Sequence, residues 1–336
     1  MSDTEEEGTL STVLLGSGSE VPERILTNHD LEKMVQTSDE WITVRTGIKE
    51  RRILEDGKGA SDLACEASKK ALEDAETDPA DLDAIIVGTV SADYPFPSTG
   101  AILEAKLGAK KAFSFDVSAA CSGFIHAITV ADCMVRAGKL DRVLVVGCDV
   151  LSRFLNWKDR NTCILFADGA GAVVLGRSDR PNTGILATCL GGDGNFAKML
   201  YVPSGGSVCP VSAQSAQSQQ NTIHMKNGKE VFKIAVRAME EASLRVMARA
   251  GVKLEEVALV IPHQANLRII NALADHLGVP MERVFVNIEK YGNTSAASVP
   301  IAFDEARRSG RVGAGDLVLI NSFGAGFAWG AALIRL

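Results

Sequence analysis

The sequence lacks the features of several protein classes. No apolar run is long enough to cross a bilayer, and the start of the chain, MSDTEEEGTL, lacks the basic residues and apolar run of a signal peptide. We therefore expect a soluble cytoplasmic protein. The seven cysteines are odd in number and form no C-x-x-C pair and no cysteine–histidine cluster. This argues against a disulfide framework and a structural zinc site, so reduced thiols are expected.

The sequence also lacks an excess of positive charge. Its net charge of −7 provides no overall attraction to nucleic acid, so an anionic partner would have to bind a local basic patch. The run GSGSEVP at 16–22 lacks the glycine spacing of a dinucleotide loop and has no helix pattern after it. What remains is a chain with 46% hydrophobic and 23% charged residues, long enough for two domain-sized halves.

Strands rich in valine and isoleucine alternate with alanine-rich helical patterns, which predicts an α/β fold with largely buried sheets. The order of elements recurs: a helix at about 61–75 leads to DPADLDAIIVGTV, and a helix at about 229–250 leads to GVKLEEVALVIPH. The period of about 170 residues is typical of a duplicated domain. We predict two similar halves, 1–180 and 181–336. The predicted strands include 83–90, 141–150, 171–176, 256–263 and 316–323.

The duplication predicts where residues distant in sequence meet. If the halves pack around a pseudo-twofold axis, the turn with Cys121 lies opposite the turn YGNTSAAS, which carries Asn293. The loop IPHQAN, with His263, follows the strand equivalent to the one that ends near Val90. These three polar residues can thus converge on one pocket. The segment 203–222, rich in serine and glutamine, is predicted to be a surface loop outside the site.

None of the three residues is specific by itself. Cys121 lies in FDVSAACSGF, where an extended run gives way to small residues and a helix, and a helix start stabilises a thiolate. Such a turn can expose a nucleophile, but a buried inert cysteine fits the same stretch. His263 also fits a core histidine, and Asn293 an ordinary turn residue. The other histidines, at 29, 126, 224 and 276, have no comparable partner loop and are predicted to be structural or exposed.

Five motifs, in order and over nearly the whole chain, make the combination specific. They are SDEWITVRTGI, VSAACSGF, PHQANLRII, YGNTSAASVP and FGAGFAWGAALIRL. Together they resemble β-ketoacyl-acyl carrier protein synthase III of the thiolase superfamily. The resemblance implies a thiolase-like, five-layered αβαβα fold built from two similar halves, which agrees with the duplication, and a homodimer.

The resemblance also implies a reaction. The family condenses an acyl-CoA primer, often acetyl-CoA, with malonyl-acyl carrier protein to begin fatty-acid synthesis, and needs no metal or cofactor. Its catalytic residues fall on Cys121 as nucleophile and on His263 and Asn293 as donors to an enolate oxygen. Backbone N–H groups of Cys121 and Ala325 would form an oxyanion hole. Ala325 is a departure from the family's FGGG, and it requires a φ compatible with a Cβ.

Substrate-binding residues follow from the same resemblance. Trp41 and Arg160 would sandwich the adenine of coenzyme A, and Arg45 would reach toward its phosphates. Each of them also fits a packed or surface residue. The other implied positions are Gly228 and Asn266 along the pantetheine channel, Phe166 in the wall of the acyl pocket, and Phe96, which would cross the dimer interface to close that pocket.

A basic stripe is predicted on the helix that begins near residue 229. Lys229, Lys233 and Arg237 recur every four residues and therefore share one face of the helix. With Arg268, which the resemblance implicates, they are expected to dock an acidic carrier protein. A solvated helix face is the alternative. Lys229 is a second departure, because some relatives have an asparagine there.

Other functions remain open at the level of sequence. A starter-unit enzyme of polyketide or quinolone assembly would use the same Cys-His-Asn set on a different donor or acceptor. The intact set disfavours a noncatalytic scaffold, and an ordinary thiolase needs a second cysteine that NSFGAGFAWG does not contain. Primer length and branching stay undetermined, because a pocket discriminates one methylene by only about 1–3 kcal/mol.

Overall fold

Strands and helices alternate along the chain, as the sequence predicts. The computed structural model describes residues 10–336, so the acidic start of the chain lies outside the described residues. The strands are β1 (Ser11–Glu20), β2 (Ile25–Thr27), β3 (Glu50–Arg52), β4 (Ala84–Gly88), β5 (Phe113–Val117), β6 (Arg142–Val150), β7 (Asp168–Ser178), β8 (Gly184–Gly192), β9 (Leu200–Tyr201), β10 (His224–Met225), β11 (Val257–Pro262), β12 (Leu317–Gly324) and β13 (Ala328–Arg335). The helices are α1 (Asn28–Glu32), α2 (Asp39–Thr46), α3 (Ala60–Asp74), α4 (Thr99–Leu107), α5 (Gly123–Arg136), α6 (Arg160–Cys163), α7 (Ala213–Gln217), α8 (Gly228–Ala250), α9 (Leu267–Leu277), α10 (Ile288–Tyr291) and α11 (Ser298–Arg308).

Two larger sheets organise the molecule. The first has five strands in the order β1-β7-β6-β4-β5, with β4 parallel to both β5 and β6. The second has four strands in the order β11-β12-β13-β8, with β11 parallel to β12. Every residue of β4 and of β12 is buried, which explains why β4 and the first four residues of β12 read as continuous apolar runs instead of alternating ones.

Helices cover both faces of each sheet. Apolar residues of α3 and α4 pack on the outer face of the first sheet, and those of α8 and α9 pack on the outer face of the second. Between the sheets, α5 and α11 share one hydrophobic cluster with residues of β4, β6, β11 and β12. This gives the five αβαβα layers that the resemblance implies.

The two sheets divide the chain near residue 180. All strands of the first sheet lie within 11–178, and all strands of the second lie within 184–335. The division of the chain into halves 1–180 and 181–336 stays a prediction, and this distribution of strands supports it. The central helices α5 and α11 come from different halves and pack in the same cluster, so the turns that precede them meet at the middle of the molecule.

The segment 203–222 lies at the surface, as predicted, with Val208 99% exposed. It is not entirely irregular, because it contains the short helix α7, whose N-cap is Ser212. Over residues 10–336, none of the helices combines the length and the apolar character that crossing a membrane requires.

Candidate active site

Cys121 lies in a tight turn between β5 and α5. The turn Ala120–Ser122 leads directly into the first turn of α5. Ala120 has φ +47°, a conformation that residues other than glycine seldom adopt and that persists where the surroundings enforce it. The side chain of Cys121 is 7% exposed. The predicted position at a helix start is therefore present, and the turn directs the thiol into the interior.

The end of β12 holds this turn in place. Ser322 Oγ donates to the carbonyl of Cys121 at 2.7 Å. A Cβ on Gly324 would lie 2.7 Å from Cys121 N, so only glycine fits at that contact. The backbone of Ala325 avoids positive φ, so its Cβ is accommodated. Within residues 10–336, neither Cys121 N nor Ala325 N has a backbone acceptor, and both N–H groups are available to an oxyanion.

His263 directly follows β11 and is 2% exposed. Its Nδ1 lies 2.5 Å from Ser298 Oγ, and that oxygen also accepts from Gln264 N at 3.4 Å. The hydroxyl hydrogen of Ser298 is then available to Nδ1, which favours the tautomer with hydrogen on Nε2. Nε2 is buried and has no partner among the described residues. Burial lowers the pKa of His263 to about 3, so the imidazole is neutral at neutral pH.

Asn293 is held by backbone and side-chain hydrogen bonds. Its N donates to Leu165 O, and its O accepts from Ala167 N, each at 2.9 Å. Its side-chain Oδ1 accepts from Ser295 N at 2.9 Å. Because the oxygen is engaged in this way, the amide Nδ2 remains available as a donor. The backbone pairing also places Phe166 directly beside Asn293.

The three residues line one cavity of about 170 Å³. Gly228, Asn266 and Phe166 line the same cavity. The structure thus brings together the predicted Cys-His-Asn set and the two residues predicted for the pantetheine channel.

Cys121 also lines a second, larger cavity of about 430 Å³. Ala325 and the buried Phe166 belong to its wall, so Phe166 and Cys121 border both cavities. The remaining wall is mostly apolar: Val90, Leu151, Phe154, Leu200, Tyr201, Val202 and Ile223. Val202 and Ile223 flank the segment 203–222, and no residue of that segment lines either cavity within the described chain.

The sulfur of Cys121 is not a thiolate at rest. Burial, with a smaller contribution from the charge of Asp149, raises the pKa of the Cys121 thiol to about 12. A hydrogen bond from Ser295 Oγ to Cys121 Sγ, 3.4 Å long, lowers the pKa of the thiol. The predicted stabilisation of a thiolate by the helix start is therefore outweighed by desolvation.

Asp149 holds two loops of the site together by hydrogen bonds, and the sequence analysis did not predict this role. Its carboxylate is fully buried at the end of β6, where burial raises its pKa. Oδ1 accepts from Thr89 Oγ1 at 3.0 Å, Val90 N at 2.9 Å and Ser91 Oγ at 2.8 Å, and Oδ2 accepts from Ala296 N at 3.1 Å. It thereby connects the loop after β4 to the turn after Asn293. A charged residue inside the apolar strand DRVLVVGCDV was the available signal.

The residues predicted for the adenine and the phosphates of coenzyme A form one cluster. The guanidinium carbons of Arg45 and Arg160 lie 4.3 Å and 4.8 Å from the ring centroid of Trp41. Arg160 Nη1 also donates to Gln36 O at 3.0 Å. An adenine between Trp41 and Arg160 needs roughly 3.5 Å on each side. Arg160 must therefore move away from the ring before a base enters.

Phe96 lies apart from both cavities of its own chain. Its side chain is 85% exposed, and that of its neighbour Tyr94 is 60% exposed. Neither residue lines the cavities at Cys121 within the described chain.

The predicted basic stripe occupies the exposed face of α8. Lys229, Lys233, Arg237 and the nearby Arg268 are exposed, and none forms an ion pair with another residue in 10–336. Apolar residues on the opposite face of the helix line the smaller cavity or pack in the core: Val231, Phe232, Ala235 and Val236. The stripe therefore starts at the cavity that contains Cys121.

Comparison with known proteins agrees with this geometry. Two family models match the chain: 3-oxoacyl-[acyl-carrier-protein] synthase III over residues 115–194, and the C-terminal part of 3-oxoacyl-[acyl-carrier-protein] synthase III over residues 247–336. The chain is 53% identical to the β-ketoacyl-[acyl-carrier-protein] synthase III of Caldanaerobacter subterraneus subsp. tengcongensis, over 96% of this chain and 97% of the relative.

Solved structures show the same similarity. The crystal structure of 3-oxoacyl-[acyl-carrier-protein] synthase III from Aquifex aeolicus is 50% identical and has a TM-score of 0.89, covering 97% of this chain and 100% of that one. The priming β-ketosynthase of the R1128 polyketide biosynthetic pathway is 37% identical with a TM-score of 0.89, covering 97% and 96%. These matches confirm the predicted fold class.

Proposed function

Because this chain belongs to the 3-oxoacyl-[acyl-carrier-protein] synthase III family, it is a condensing acyltransferase that joins an acyl-CoA to malonyl-acyl carrier protein to begin fatty-acid synthesis, and we propose that Cys121, His263 and Asn293 carry out the chemistry. The observation that supports this assignment is their convergence on one cavity from three distant parts of the chain. We take acetyl-CoA as the primer.

In the first half-reaction, Cys121 takes the acyl group from coenzyme A. The sulfur attacks the thioester carbonyl, the bond to the coenzyme A sulfur breaks, and the proton lost by Cys121 ends on that leaving sulfur. Main-chain N–H groups of Cys121 and Ala325, which have no backbone acceptors within 10–336, stabilise the oxyanion of the intermediate. The products are an acyl-cysteine and free coenzyme A.

In the second half-reaction, malonyl-acyl carrier protein loses carbon dioxide, and the electron pair of the broken C–C bond forms an enolate. Its oxygen accepts hydrogen bonds from His263 Nε2 and Asn293 Nδ2. The neutral, unpartnered Nε2 and the fixed Oδ1 of Asn293 both suit this role. The carbanion then attacks the acyl carbonyl, and the Cys121 sulfur leaves as a thiolate, which takes up a proton from solvent to restore the resting thiol. These steps need no cofactor.

The substrates occupy the two cavities that meet at Cys121. The smaller cavity takes the pantetheine arm past Gly228 and Asn266, and the larger apolar cavity takes the acyl chain beside Phe166. The adenine of coenzyme A binds at Trp41 once Arg160 has moved, and Arg45 meets the phosphates.

The protein acts as a homodimer in the cytoplasm. The exposed aromatic side chains of Tyr94 and Phe96 support a partner copy at this loop, with Phe96 closing the acyl pocket of that partner. All seven cysteines are free in the structure, which fits a reducing compartment.

Charge reversal on the basic stripe tests the proposed docking of acyl carrier protein. Changing Lys233 and Arg268 together to Glu should raise the KM for malonyl-acyl carrier protein at least about tenfold at low salt, because both side chains are exposed and unpaired in the described chain. The effect should shrink as salt screens the charges. Acetylation from acetyl-CoA should change little.

The double reversal Lys253→Glu and Arg335→Glu, at exposed or half-exposed positions outside α8 and α9, serves as the control. An equal loss in both half-reactions, or a loss independent of salt, would mean that the stripe is an ordinary solvated surface.

The overall reaction is tested by weighing the acyl-enzyme. The protein is incubated with a panel of acyl-CoAs of increasing length and branching, and each adduct is then offered malonyl-acyl carrier protein. We expect one acyl mass per chain and its disappearance on condensation. A stable adduct that no malonyl carrier discharges would argue against the synthase reaction. The starter-unit alternative is not favoured, because the relatives with 50–53% identity are named as synthase III enzymes.

A further inference from the structure

The hydroxyl of Ser295 contacts the sulfur of Cys121, and the proposed roles of Cys121, His263 and Asn293 leave this hydroxyl without a function. Ser295 Oγ donates to Cys121 Sγ over 3.4 Å. Ser295 is 1% exposed and lines the larger cavity next to the sulfur. No other side chain within residues 10–336 donates a hydrogen bond to this sulfur.

The turn that carries Ser295 is fixed by its main chain. Ser295 N donates to Asn293 Oδ1 at 2.9 Å, and the next amide, Ala296 N, donates to the buried Asp149 Oδ2 at 3.1 Å. Ser295 itself has φ +53°, which is unusual for a residue with a Cβ and persists because these contacts enforce it. The position of the hydroxyl is thus set independently of its contact with sulfur.

We propose that Ser295 is a further catalytic residue, whose hydroxyl donates a hydrogen bond to Cys121 Sγ whenever that sulfur carries negative charge. The inference rests on the proposed function in taking Cys121 as the nucleophile. The sulfur becomes negative twice in the cycle. It loses its proton before attack on the acyl-CoA, and it regains the electron pair of the C–S bond when the condensation intermediate collapses.

Apart from the backbone N–H of Cys121 itself, which also lowers the pKa of the thiol, the remaining surroundings of Cys121 oppose a thiolate. The titratable groups near the turn are Asp149, whose carboxyl is a second acceptor within reach of the Ser295 hydroxyl, His263 across the cavity, and His126 on α5, which contacts Ser122 O. Asp149 raises the pKa of the thiol by its charge, and burial lowers the pKa of both histidines, so they are neutral at pH 7. The hydrogen bond from Ser295 lowers the pKa of the thiol, against the desolvation that raises it.

The test compares Ser295→Ala and Ser295→Gly with the control Ser122→Ala. Glycine suits the positive φ at 295, so it removes the hydroxyl without backbone strain. Ser122 adjoins Cys121, and its buried Oγ has no hydrogen-bond partner among the described residues, so its removal deletes a hydroxyl without breaking a hydrogen bond. The measured quantity is the rate of Cys121 alkylation by iodoacetamide as a function of pH, followed by mass spectrometry.

Both Ser295 variants should be alkylated about tenfold more slowly below the thiol pKa, with the pH profile moved upward by about one unit, because a hydrogen bond to a charged group is lost. Acetyl transfer and condensation should both slow by a similar factor. Ser122→Ala should match the wild type. Partial unfolding cannot mimic this result, because it exposes the thiol and accelerates alkylation.

An unchanged pH profile in both Ser295 variants would overturn the inference, and so would a change in the alanine variant that the glycine variant does not share. Failure of the proposed function is distinguishable: wild-type Cys121 would then not accept an acetyl group, whereas the alkylation comparison would still report on Ser295.

Discussion

Replacing Cys121 by Ala is expected to abolish acetyl transfer from acetyl-CoA and to lower synthase activity by more than about a thousandfold, as for other covalent nucleophiles. In the wild type, one acetyl mass should appear per chain and map to the peptide that contains Cys121. The structural reason is that only this cysteine lines both cavities, next to two N–H groups without backbone acceptors in residues 10–336. Stopped incubations and peptide mapping measure both quantities.

Two other cysteines provide matched controls. Cys163 and Cys148 are fully buried, and burial raises the pKa of each thiol, to about 11 for Cys163. Neither lines the cavities at the site within the described chain. Cys163→Ala should therefore keep acetyl transfer at the wild-type rate. An acetyl group found on Cys163 or Cys148 would defeat the mechanism.

Replacing His263 or Asn293 by Ala should separate the two half-reactions. Each change removes one donor to the enolate oxygen, which typically costs on the order of a hundredfold to a thousandfold in rate. The enolate forms only after acyl transfer, so acetylation of Cys121 should be affected far less than condensation. Acyl-enzyme formation is measured by mass, and condensation by release of the 3-oxoacyl product.

His276→Ala is a suitable control for the histidine variant. His276 is exposed on α9, where its Nδ1 lies 2.9 Å from Glu240 Oε2, and it should leave both half-reactions unchanged. If His263→Ala instead abolished acetylation of Cys121 and kept malonyl decarboxylation, the role assigned to His263 would be wrong.

The sequence predicts the parts of this molecule that repeat. Alternating strand and helix patterns at a period of about 170 residues predict the two halves, and equivalent turns in the halves place Cys121 opposite Asn293. The structure brings both to one cavity together with His263. Such convergence can be predicted because hydrophobic periodicity and chain order are local properties of the sequence.

The protonation states of the site residues and their hydrogen-bond partners could not be predicted from the sequence in the same way. The roles of Ser298 beside His263, of Ser295 beside Cys121 and of Asp149 below both depend on which groups tertiary packing places within 4 Å. Desolvation likewise depends on burial in the folded chain, and it makes Cys121 a thiol at rest, against the expectation from its helix start. Whether alanine can replace the family's glycine at position 325 depends on the backbone φ there, which only the structure gives.

The junction of the two cavities at Cys121 imposes an order on the substrates. In the proposed assignment, the acyl chain fills the larger cavity, so a pantetheine arm reaches Cys121 through the smaller one, and coenzyme A and acyl carrier protein carry the same arm. The first product must leave before the second substrate enters, which gives ping-pong kinetics. On this assignment, free coenzyme A competes with malonyl-acyl carrier protein for the acylated enzyme, so added coenzyme A should slow the condensation step.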